Sequence, residues 1–596
     1  MTNPSPVVPD RSPLAFLVAR VASVMLVIAL SAALSSSARA ADYYVNVGSG
    51  SCSNAGPGTQ LIPFCSISAA IAAHSGPGVT IWVLPGTYRE QVTVPASGAA
   101  GNPFTIKALG GPVLVDGADD FSSAVKWAPF SGDVWLASSV NWSPKQVFAD
   151  GARLASSTAS PSLLPSRSFR YVAGTGLCVN AGGGNPGSHQ ALVGRRSNAF
   201  VLTGKSWVTI DGITAIRAED RAFNITSLSS HVTLTRNIVK FAGRYGIYFS
   251  GGSGELVEAN VCSDNADHGI EFISGVTGST LRANECFRNV YPPTREANGI
   301  YVYSSPSNLI ERNLLHDNQD TGLQINQGSN NCVCLQNVSW NNGDHGYDHL
   351  MATGTLHIGD VAYGNYKDGF SIEGSASGVQ LYDCIAIENG LTTNEFNLWV
   401  DLASSSGFVS DYNIFWNSTS QQPVKYIATL YSSVAAYSAA TGKDQHSIQA
   451  NPLFTSPTVA DFHLGAGSPA IDAGTSAPAN WPALDADGNA RVDIGTVPNS
   501  GAGPVPYADR GAFEFRTVGV PPVAQLIVSP ANGRAPLAVS ADASGSTDPN
   551  GGGIVSYRFD FGDGTVVGPQ AGATATHPFS PGTWTVTVTV VNSVGL

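Results

Sequence analysis

Short apolar runs alternate with polar residues along the middle of the chain, and this alternation repeats at a nearly constant interval. Seven segments start with Asn or Asp followed by apolar residues, and successive starts lie 23, 24, 29, 24, 23 and 23 residues apart. They start at Asn237, Asn260, Asn284, Asn313, Asn337, Asp360 and Asp383. Such a period is typical of a solenoid. The runs are too brief for helices and no stretch keeps a 3.6-residue period, so we predict an all-β fold built from coils of three short strands.

A second position in each repeat is a glycine followed by an apolar residue. The pairs are Gly246-Ile247, Gly269-Ile270, Gly299-Ile300, Gly322-Leu323, Gly346-Tyr347 and Gly369-Phe370, with Asn397-Leu398 as a seventh. Because Asn and Gly tolerate a left-handed backbone, we interpret both positions as corners shared by the coils. Aligning the repeats on the glycine stacks equivalent residues about 4.8 Å apart, so that each sequence position becomes a ladder in space.

Two polar ladders flank the apolar one. Two places before the glycine stand Arg244, Asp267, Ala297, Asp320, Asp344, Lys367 and Glu395. Two places after it stand Tyr248, Glu271, Tyr301, Gln324, Asp348, Ser371 and Trp399. Since side chains alternate between the two faces of a strand, we expect the apolar ladder to face the core and both polar ladders to face solvent.

Three acidic residues, Asp320, Asp344 and Asp348, should meet on one surface patch in this register. Two carboxylates one coil apart repel by about 1 kcal/mol in water and by about 3 to 4 kcal/mol at a protein surface, and a bound cation would relieve that repulsion. Ca²⁺ prefers several hard oxygen ligands in flexible geometry, which carboxylates on adjacent strands can provide. The alternative interpretation is a solvated acidic stripe or an ion pair with Lys367.

Composition narrows the class of protein. The 596 residues include 65 Gly and 36 Pro, with 12% charged and 43% hydrophobic residues, which excludes a disordered chain and a long helical rod. Thirty Lys and Arg against 43 Asp and Glu give a net charge of −13. An acidic surface argues against nucleic acid and anionic membranes as partners. We also expect no membrane span and a monomer.

The first forty residues have the pattern of an export signal. Arg11 and Arg20 precede an apolar run over residues 21–34, and Ala38-Arg-Ala40 supplies the small residues that a signal peptidase recognises. We therefore expect residues 1–40 to be a secretory signal peptide and the mature protein to be extracellular.

The eight cysteines fit an exported protein. Cys52 and Cys65 enclose a loop rich in Gly, Pro and Asn, and we predict a disulfide between them. The other six lack the paired spacing of a zinc site, so buried thiols or further bridges are the better interpretations.

With these features the chain resembles the right-handed parallel β-helix proteins, the family that contains pectate lyases and related secreted polysaccharide enzymes. The segment that opens the resemblance runs from Asp42 to Glu90 and is similar to the capping helix and first coil of that fold. The resemblance implies a β-helix domain over residues 41–516. Residues 121–200 break the period, and we expect a β-rich insertion there.

The C-terminal segment from residue 521 to residue 596 resembles a PKD domain, an immunoglobulin-like β-sandwich. The residues that carry this resemblance are the turn Phe561-Gly-Asp-Gly564 and the alternating strand Gly582-Thr-Trp-Thr-Val-Thr-Val-Thr589. We expect this domain to be truncated, because the chain stops where another strand should follow.

The acidic patch carries a more specific resemblance. Asp344-His-Gly-Tyr-Asp348 is similar to the Asp-Asp-Gly-Trp-Asp motif of family 9 pectate lyases, with Asp320 at the acidic position one coil earlier. The resemblance implies that these carboxylates hold Ca²⁺. His345 replaces one expected ligand, and Ser371 stands where the catalytic lysine of the family aligns.

From these residues we predict a secreted, Ca²⁺-dependent lyase that cleaves an acidic polysaccharide by β-elimination. Lys367 is the nearest basic residue and the candidate base, and Arg295 is the second candidate catalytic residue. Calcium on the substrate carboxylate would make the neighbouring C5 proton easier to remove. A lysine near the cation should have a lowered pKa. The candidate substrate-binding residues are Tyr301, Trp399, Glu271 and Arg244.

Two other functions stay open. A glycoside hydrolase on the same scaffold would use a carboxylate pair, Asp320 with Asp344 or Asp348. A non-catalytic carbohydrate-binding or adhesive surface protein would use the β-helix as a binding face.

Overall fold

A computed structural model of the chain describes residues 41–516, 522–548 and 553–592. The predicted signal peptide lies outside these residues. The chain divides into two compact units, with the division between Glu514 and Phe515. No helix within the described ranges is both long and apolar enough to cross a membrane.

Three long β-sheets form the first unit, and each coil contributes one strand to each sheet in turn. Neighbouring coils pair in parallel, and only the last pair of the third sheet is antiparallel. The predicted right-handed parallel β-helix is confirmed.

The strands of each sheet follow in order of pairing. Sheet 1 contains Ala41–Val45, Val79–Val83, Phe104–Ala108, Val208–Asp211, Thr233–Thr235, Leu256–Glu258, Thr280–Arg282, Leu309–Glu311, Val333–Leu335, Leu356–Ile358, Gln380–Tyr382 and Val409–Asp411. Sheet 2 contains Gly86–Tyr88, Val113–Asp116, Ile213–Ile216, Ile238–Lys240, Val261–Ser263, Glu285–Phe287, Leu314–His316, Val338–Trp340, Val361–Tyr363, Ile385–Ile387 and Ile414–Trp416. Sheet 3 contains Val92–Thr93, Asn198–Thr203, Arg221–Thr226, Ile247–Ser253, Ile270–Thr277, Ile300–Tyr303, Leu323–Ile325, Tyr347–Leu350, Phe370–Glu373, Leu398–Val400, Val424–Tyr426 and Thr429–Tyr431.

Two smaller sheets leave the helix between its early coils. One contains Ala152–Arg153, Val147–Ala149, Leu192–Gly194 and Ala118–Asp120, and the other contains Ala155–Ser156, Ser168–Val172, Gly176–Asn180, Val134–Ala137 and Ala128–Ser131. Short 3-10 turns lie at Ala124–Lys126, Pro161–Leu163 and Pro186–Ser188. These sheets have a hydrophobic core of their own, which includes Trp127 and Phe169.

Helices are few and short. The helix Ile67–Ala73 starts at Ser66, whose Oγ accepts the backbone N–H of Ala69 at 3.3 Å, and it buries Ile67 and Ile71 against the core of the β-helix. The second helix, Val434–Thr441, ends at Gly442 in a left-handed conformation. A last hairpin pairs Phe454–Ser456 with Asp461–Leu464, and a 3-10 turn, Pro457–Val459, joins its strands.

The structure contains the predicted disulfide, and the other described cysteines are buried thiols rather than further bridges. Cys52 and Cys65 are joined, with their sulfur atoms 2.14 Å apart. The remaining six are buried free thiols, namely Cys178, Cys262, Cys286, Cys332, Cys334 and Cys384.

The apolar residue after each glycine faces the interior, as the alternation predicts. These residues are almost completely buried, namely Ile247, Ile270, Ile300, Leu323, Tyr347, Phe370 and Leu398. Burying an aliphatic side chain of this size contributes about 1.5 to 3 kcal/mol.

The asparagine position serves a different purpose from the one we inferred. Asn237, Asn260, Asn284, Asn313 and Asn337 do not have a positive φ; the residue before each of them does, for example Arg236 at 52°. Each asparagine Nδ2 donates to the Oδ1 of the equivalent residue on the next coil at 2.9 or 3.0 Å. An amide is required because it donates and accepts at once. The predicted register is wrong at the last repeat, because Val361 pairs with Ile385 and therefore Cys384 follows Asp360 in this ladder.

A second asparagine ladder, which we did not predict from the sequence, runs beside the first. It consists of Asn265, Asn289, Asn318, Asn342, Asn365 and Asn389, with the same side-chain hydrogen bonds. Most of its members stand five residues after a member of the first ladder, so the spacing was visible in the sequence.

Glycine also occurs in each repeat for a different reason from the one we inferred. The glycines of the repeat lack a positive φ, but a Cβ at Gly322 would lie 2.8 Å from the carbonyl oxygen of Gly346 and 2.9 Å from Nδ2 of Asn342. Glycine is required because the next coil approaches too closely for any side chain.

The C-terminal unit is a small β-sandwich. One antiparallel sheet contains Ile527–Ser529, Leu537–Asp542 and Thr574–Phe579, and the other contains Val566–Gln570, Ile554–Asp560 and Thr587–Asn592. Phe559 and Phe561 are buried in its core.

Candidate functional site

The polar ladder two places after the glycine lies on sheet 3. Strand pairing aligns Tyr248 with Glu271, and Glu271 with Tyr301. Further along, it aligns Gln324, Asp348, Ser371 and Trp399 on consecutive strands. Acidic residues distant in the sequence therefore share one wall of the β-helix, as the alignment on glycine predicts.

The expectation that both polar ladders face solvent is wrong. In the ladder two places before the glycine, Asp267 and Asp344 are 4% and 8% exposed. The ladder two places after it is buried in part as well. Asp348 and Glu271 are each 3% exposed and Ser371 is 0% exposed. These side chains point away from the core, but neighbouring polar side chains cover them. Gln324 shows how, since its Nε2 donates to Oδ2 of Asp348 at 2.6 Å, while Nδ2 of Asn298 donates to Oε1 of Gln324 at 3.1 Å.

Arg295 and Lys367 meet at the carboxylate of Asp344. Nη2 of Arg295 donates to Oδ2 at 2.7 Å, and Nζ of Lys367 lies 2.9 Å from Oδ1. Nε of Arg295 is also 3.4 Å from Oδ1 of Asp320. The ion pair with Lys367 that we considered as an alternative is therefore present, and Arg295 forms a second one that the sequence did not reveal.

Burial and crowding make Asp320 a weak acid. Burial raises its pKa to about 7, and the adjacent carboxyl of Asp344 adds to the rise. The pKa of Lys367 is raised, contrary to our expectation: burial alone would lower it, but the hydrogen bond and charge of Asp344 outweigh burial.

Three further ionisable residues border this cluster: His345, which the sequence analysis named, and Asp368 and Glu373, which it did not. Nδ1 of His345 lies 3.2 Å from the backbone nitrogen of Asp368 and 3.3 Å from its Oδ2, and Nε2 lies 3.6 Å from Oδ1 of Asp344. Burial alone would lower the pKa of His345, but the surrounding carboxylates, led by Asp368, raise it to about 9. Burial raises the pKa of Glu373 to about 7, with a further contribution from Asp348.

The predicted substrate-binding residues lie on both sides of this cluster. Nε of Arg244 is 3.6 Å from Oδ2 of Asp267, and the Arg244 guanidinium stacks on Tyr245 at 4.4 Å. Burial raises the pKa of Glu271 to about 7, with a further contribution from Asp267.

Two aromatic residues of the same ladder are half-buried. Tyr301 stacks on His268 with ring centroids 4.5 Å apart. Trp399 has the ammonium of Lys425 over its ring at 4.8 Å. Both rings keep part of their surface accessible on the wall of sheet 3.

The three candidate calcium ligands fit a hard cation by their donor chemistry. Asp320, Asp344 and Asp348 supply carboxylate oxygens, and Oδ1 of Asp348 is buried without a hydrogen-bond partner among the described residues. Arg295 engages Asp320 and Asp344, so an ion bridging these two carboxylates would have to replace its guanidinium.

Comparison with known proteins identifies both units by fold. Residues 519–596 match the family model of the PKD domain, which confirms the resemblance predicted for the C-terminal unit. Residues 164–433 match the model described as periplasmic copper-binding protein (NosD). No curated protein matches the sequence.

Solved structures resemble the chain at low sequence identity. The complex structure of XylC with xylose is 16% identical, with 64% of this chain and 76% of that chain covered and a TM-score of 0.52. The crystal structure of pectate lyase Pel9A is 18% identical, with 81% and 98% covered and a TM-score of 0.46. A structure described as a glycoside hydrolase is 10% identical, with 65% and 95% covered and a TM-score of 0.44. At these identities the likeness concerns the fold alone.

Proposed function

We propose that the chain is an exported, polysaccharide-active enzyme that cleaves a uronic-acid-containing, pectate-like polymer by β-elimination at the Asp344 cluster. One observation carries the proposal: a lysine and an arginine share one carboxylate on a wall that also carries acidic and aromatic side chains. β-Elimination needs a base for the C5 proton and positive charge beside the substrate carboxylate. Lys367 and Arg295 supply these two requirements at one place.

Lys367 is the base in this proposal. Its side chain is 32% exposed, so the amine reaches substrate on the outer wall. While it is paired with Asp344 its pKa is raised, and it stays protonated. Lys367 therefore has to leave Asp344 and release its own proton to solvent before it can take the C5 proton. Any partner that engages Asp344 in its place promotes that release.

Ca²⁺ belongs to the same proposal, with Asp320, Asp344 and Asp348 as the residues that would hold it. When bound, the ion would withdraw charge from the substrate carboxylate and acidify the C5 proton. Arg295 neutralises two of these carboxylates otherwise, and it would have to release them and the carbonyl oxygen of Gly343 to turn toward the substrate. An acidic protein would thereby attract an acidic polymer locally.

The polymer is proposed to lie along sheet 3. Tyr301 and Trp399 offer ring faces to sugar rings on either side of the cluster. Arg244 offers a guanidinium to a second uronate. Glu271, which is only 3% exposed, would contact the polymer only after the side chains that cover it move. Glu271 and Tyr301 stand on paired strands, so successive sugar units would meet successive coils of the β-helix.

The pKa of Asp320 favours a second candidate, a glycoside hydrolase with Asp320 as the general acid. Asp344 is unsuited as the partner of Asp320 in this role, because its carboxylate is already paired with Lys367 and Arg295. Asp348 would have to be the partner.

Export is part of the proposal as well. The disulfide between Cys52 and Cys65 supports an oxidising compartment, because cytosolic thiols are kept reduced.

A panel of uronate and neutral polysaccharides tests the function. We expect uronate chains to yield products with near-ultraviolet absorbance, which arises from the unsaturated sugar that elimination leaves. New reducing ends without that absorbance would indicate that the protein is a hydrolase and not a lyase. Binding without either product would leave a carbohydrate-binding protein.

A further inference from the structure

The interior of the β-helix is interrupted at one level by residues of a different chemistry. Cys334, His357 and Asp360 are completely buried, and one ligand atom from each lies within 4.8 Å of the others. His349 joins them from sheet 3, with its Nε2 2.8 Å from Nε2 of His357. All four lie inside the coils that carry the candidate site on their outer wall.

The coils on either side have aliphatic residues at most of the equivalent inward positions. On sheet 1 the inward residues that precede Cys334 and His357 are aliphatic, namely Leu234, Val257, Leu281 and Ile310. On sheet 3 the neighbours of His349 are Ile325 and Ile372. In the asparagine ladder an acid, Asp360, takes the place of the amide, and a thiol, Cys384, follows it. These departures introduce an imidazole, a carboxylate and thiols, which are side chains that bind metals; the departure on sheet 2 of the same coil, Ser339, is a hydroxyl.

Burying these polar side chains lowers the stability of the fold unless they have partners. An imidazole buried in an apolar core loses its hydration and needs a partner for each nitrogen. An aliphatic residue at position 349 or 357 and an asparagine at 360 would continue the pattern of the neighbouring coils at no such cost.

The hydrogen bonds among these residues fix where the protons lie. Nδ1 of His349 is 3.2 Å from the carbonyl oxygen of Ser371, which only accepts, so Nδ1 carries the proton. Nε2 of His349 then accepts from Nε2 of His357. A single proton is left for the 2.6 Å contact between Nδ1 of His357 and Oδ2 of Asp360. Removing that proton leaves a nitrogen and a carboxylate oxygen facing each other beside the Cys334 thiol.

We propose that Cys334, His357 and Asp360 bind a borderline transition-metal ion such as Zn²⁺ in the interior of the β-helix, with His349 as the hydrogen-bond partner that orients His357. The mixed S, N and O donor set selects this class of ion and excludes Ca²⁺ and Mg²⁺, which prefer oxygen ligands. A partner on the second nitrogen of a metal-bound histidine is the usual arrangement.

The charges balance. Binding of one M²⁺ displaces the Cys334 thiol proton and the proton shared by His357 and Asp360, so two protons leave as two positive charges enter. The thiolate and the carboxylate then neutralise the ion, which a buried site requires. Because the ligands are completely buried, the ion enters while the chain folds.

Metal analysis of the full chain tests this proposal without reference to activity. The protein purified without chelator, or refolded in Zn²⁺, is expected to hold about one equivalent of transition metal by elemental analysis. Refolding in Co²⁺ is expected to give a thiolate-to-metal charge-transfer band. Asp360→Asn restores the residue found at this position on the preceding coils, so it should fold, and it is expected to lose the metal. Cys334→Ser is expected to lose the charge-transfer band.

Cys262→Ser is the matched control, since it removes a buried thiol on another coil and should retain the metal. Wild-type protein that takes up no metal in purification or refolding would overturn the proposal. So would metal content that survives both Cys334→Ser and Asp360→Asn, because the ion would then be bound elsewhere.

Discussion

Nη2 of Arg295 lies 2.7 Å from Oδ2 of Asp344, on the opposite side of the carboxylate from Lys367. Because of this contact, the acidic patch contains paired basic side chains as well as carboxylates. Two of the three carboxylates that the sequence offers to calcium, Asp320 and Asp344, are already paired with the chain's own cations, and the same cations are the groups that β-elimination would use.

Replacing Lys367 tests its role as the base. Lys367→Ala is expected to lower turnover on a uronate polymer by about 10² to 10⁴, the range of a general base, while the polymer still binds. Rates from near-ultraviolet absorbance and affinities from titration calorimetry separate the two effects. Lys240→Ala, on sheet 2, is the control and should keep full turnover. Unchanged turnover in Lys367→Ala would assign the base to another residue.

Replacing Arg295 tests whether it competes with calcium. Arg295→Ala removes the guanidinium from Asp320 and Asp344, so Ca²⁺ affinity is expected to rise by about tenfold, or about 1.4 kcal/mol. Titration calorimetry on the wild type and the variant measures this. Arg288→Ala, which breaks an ion pair with Asp264 outside the site, should leave the affinity unchanged. Equal or weaker binding in Arg295→Ala would show that Arg295 does not occupy the place of the ion.

The register of the candidate site could be predicted because the coils have nearly equal lengths. Asp320, Asp344 and Asp348 come together for that reason, and two-residue alternation sets which side of the strand they leave from. Burial could not be predicted in the same way. Whether Asp348 is covered depends on the side chain of Gln324 on the neighbouring coil, and alternation says nothing about contacts between coils.

The position of Arg295 could not be predicted from the repeat, for a different reason. It belongs to the longest of the intervals predicted from the sequence, the 29 residues from Asn284 to Asn313, whose additional residues have no equivalents in the shorter intervals. The polar interior around His349 and His357 was visible as a break in two apolar ladders. Their contact with Asp360 joins two sheets and the asparagine ladder, which no single sequence position reveals.

Glu255 makes stability depend on pH. Burial raises its pKa to about 8, above the value of about 4.3 in an unfolded chain, although the backbone N–H of Val232 partly offsets the rise. Between these values the folded state binds the extra proton, so this residue's contribution to stability falls as the pH rises from about 4 to about 8. Glu255→Gln removes the effect.

Unfolding by denaturant at several pH values checks this prediction. The difference in free energy of unfolding, variant minus wild type, is expected to grow between pH 5 and pH 8 and to level off above that. Glu90→Gln is a poor comparison because that carboxylate caps a helix. The exposed Asp133→Asn serves as the control, and its stability is expected to follow that of the wild type at each pH. A constant difference for Glu255→Gln would mean that the buried carboxyl titrates normally.

Gly322 limits how closely two coils can pack. A Cβ at this position would lie 2.0 Å from Oγ of Ser339 and 2.8 Å from the carbonyl oxygen of Gly346, and the backbone atom cannot move without shifting the next coil. Gly322→Ala is expected to lower the free energy of unfolding by about 1 to 3 kcal/mol. Adding Ser339→Ala should restore only part of the loss, because the contact with the carbonyl remains. Gly495→Ala, where a Cβ would meet nothing within 4 Å, is expected to be neutral. If denaturant unfolding gave equal stability for the Gly322 and Gly495 variants, close approach between coils would not be the reason for glycine at this corner.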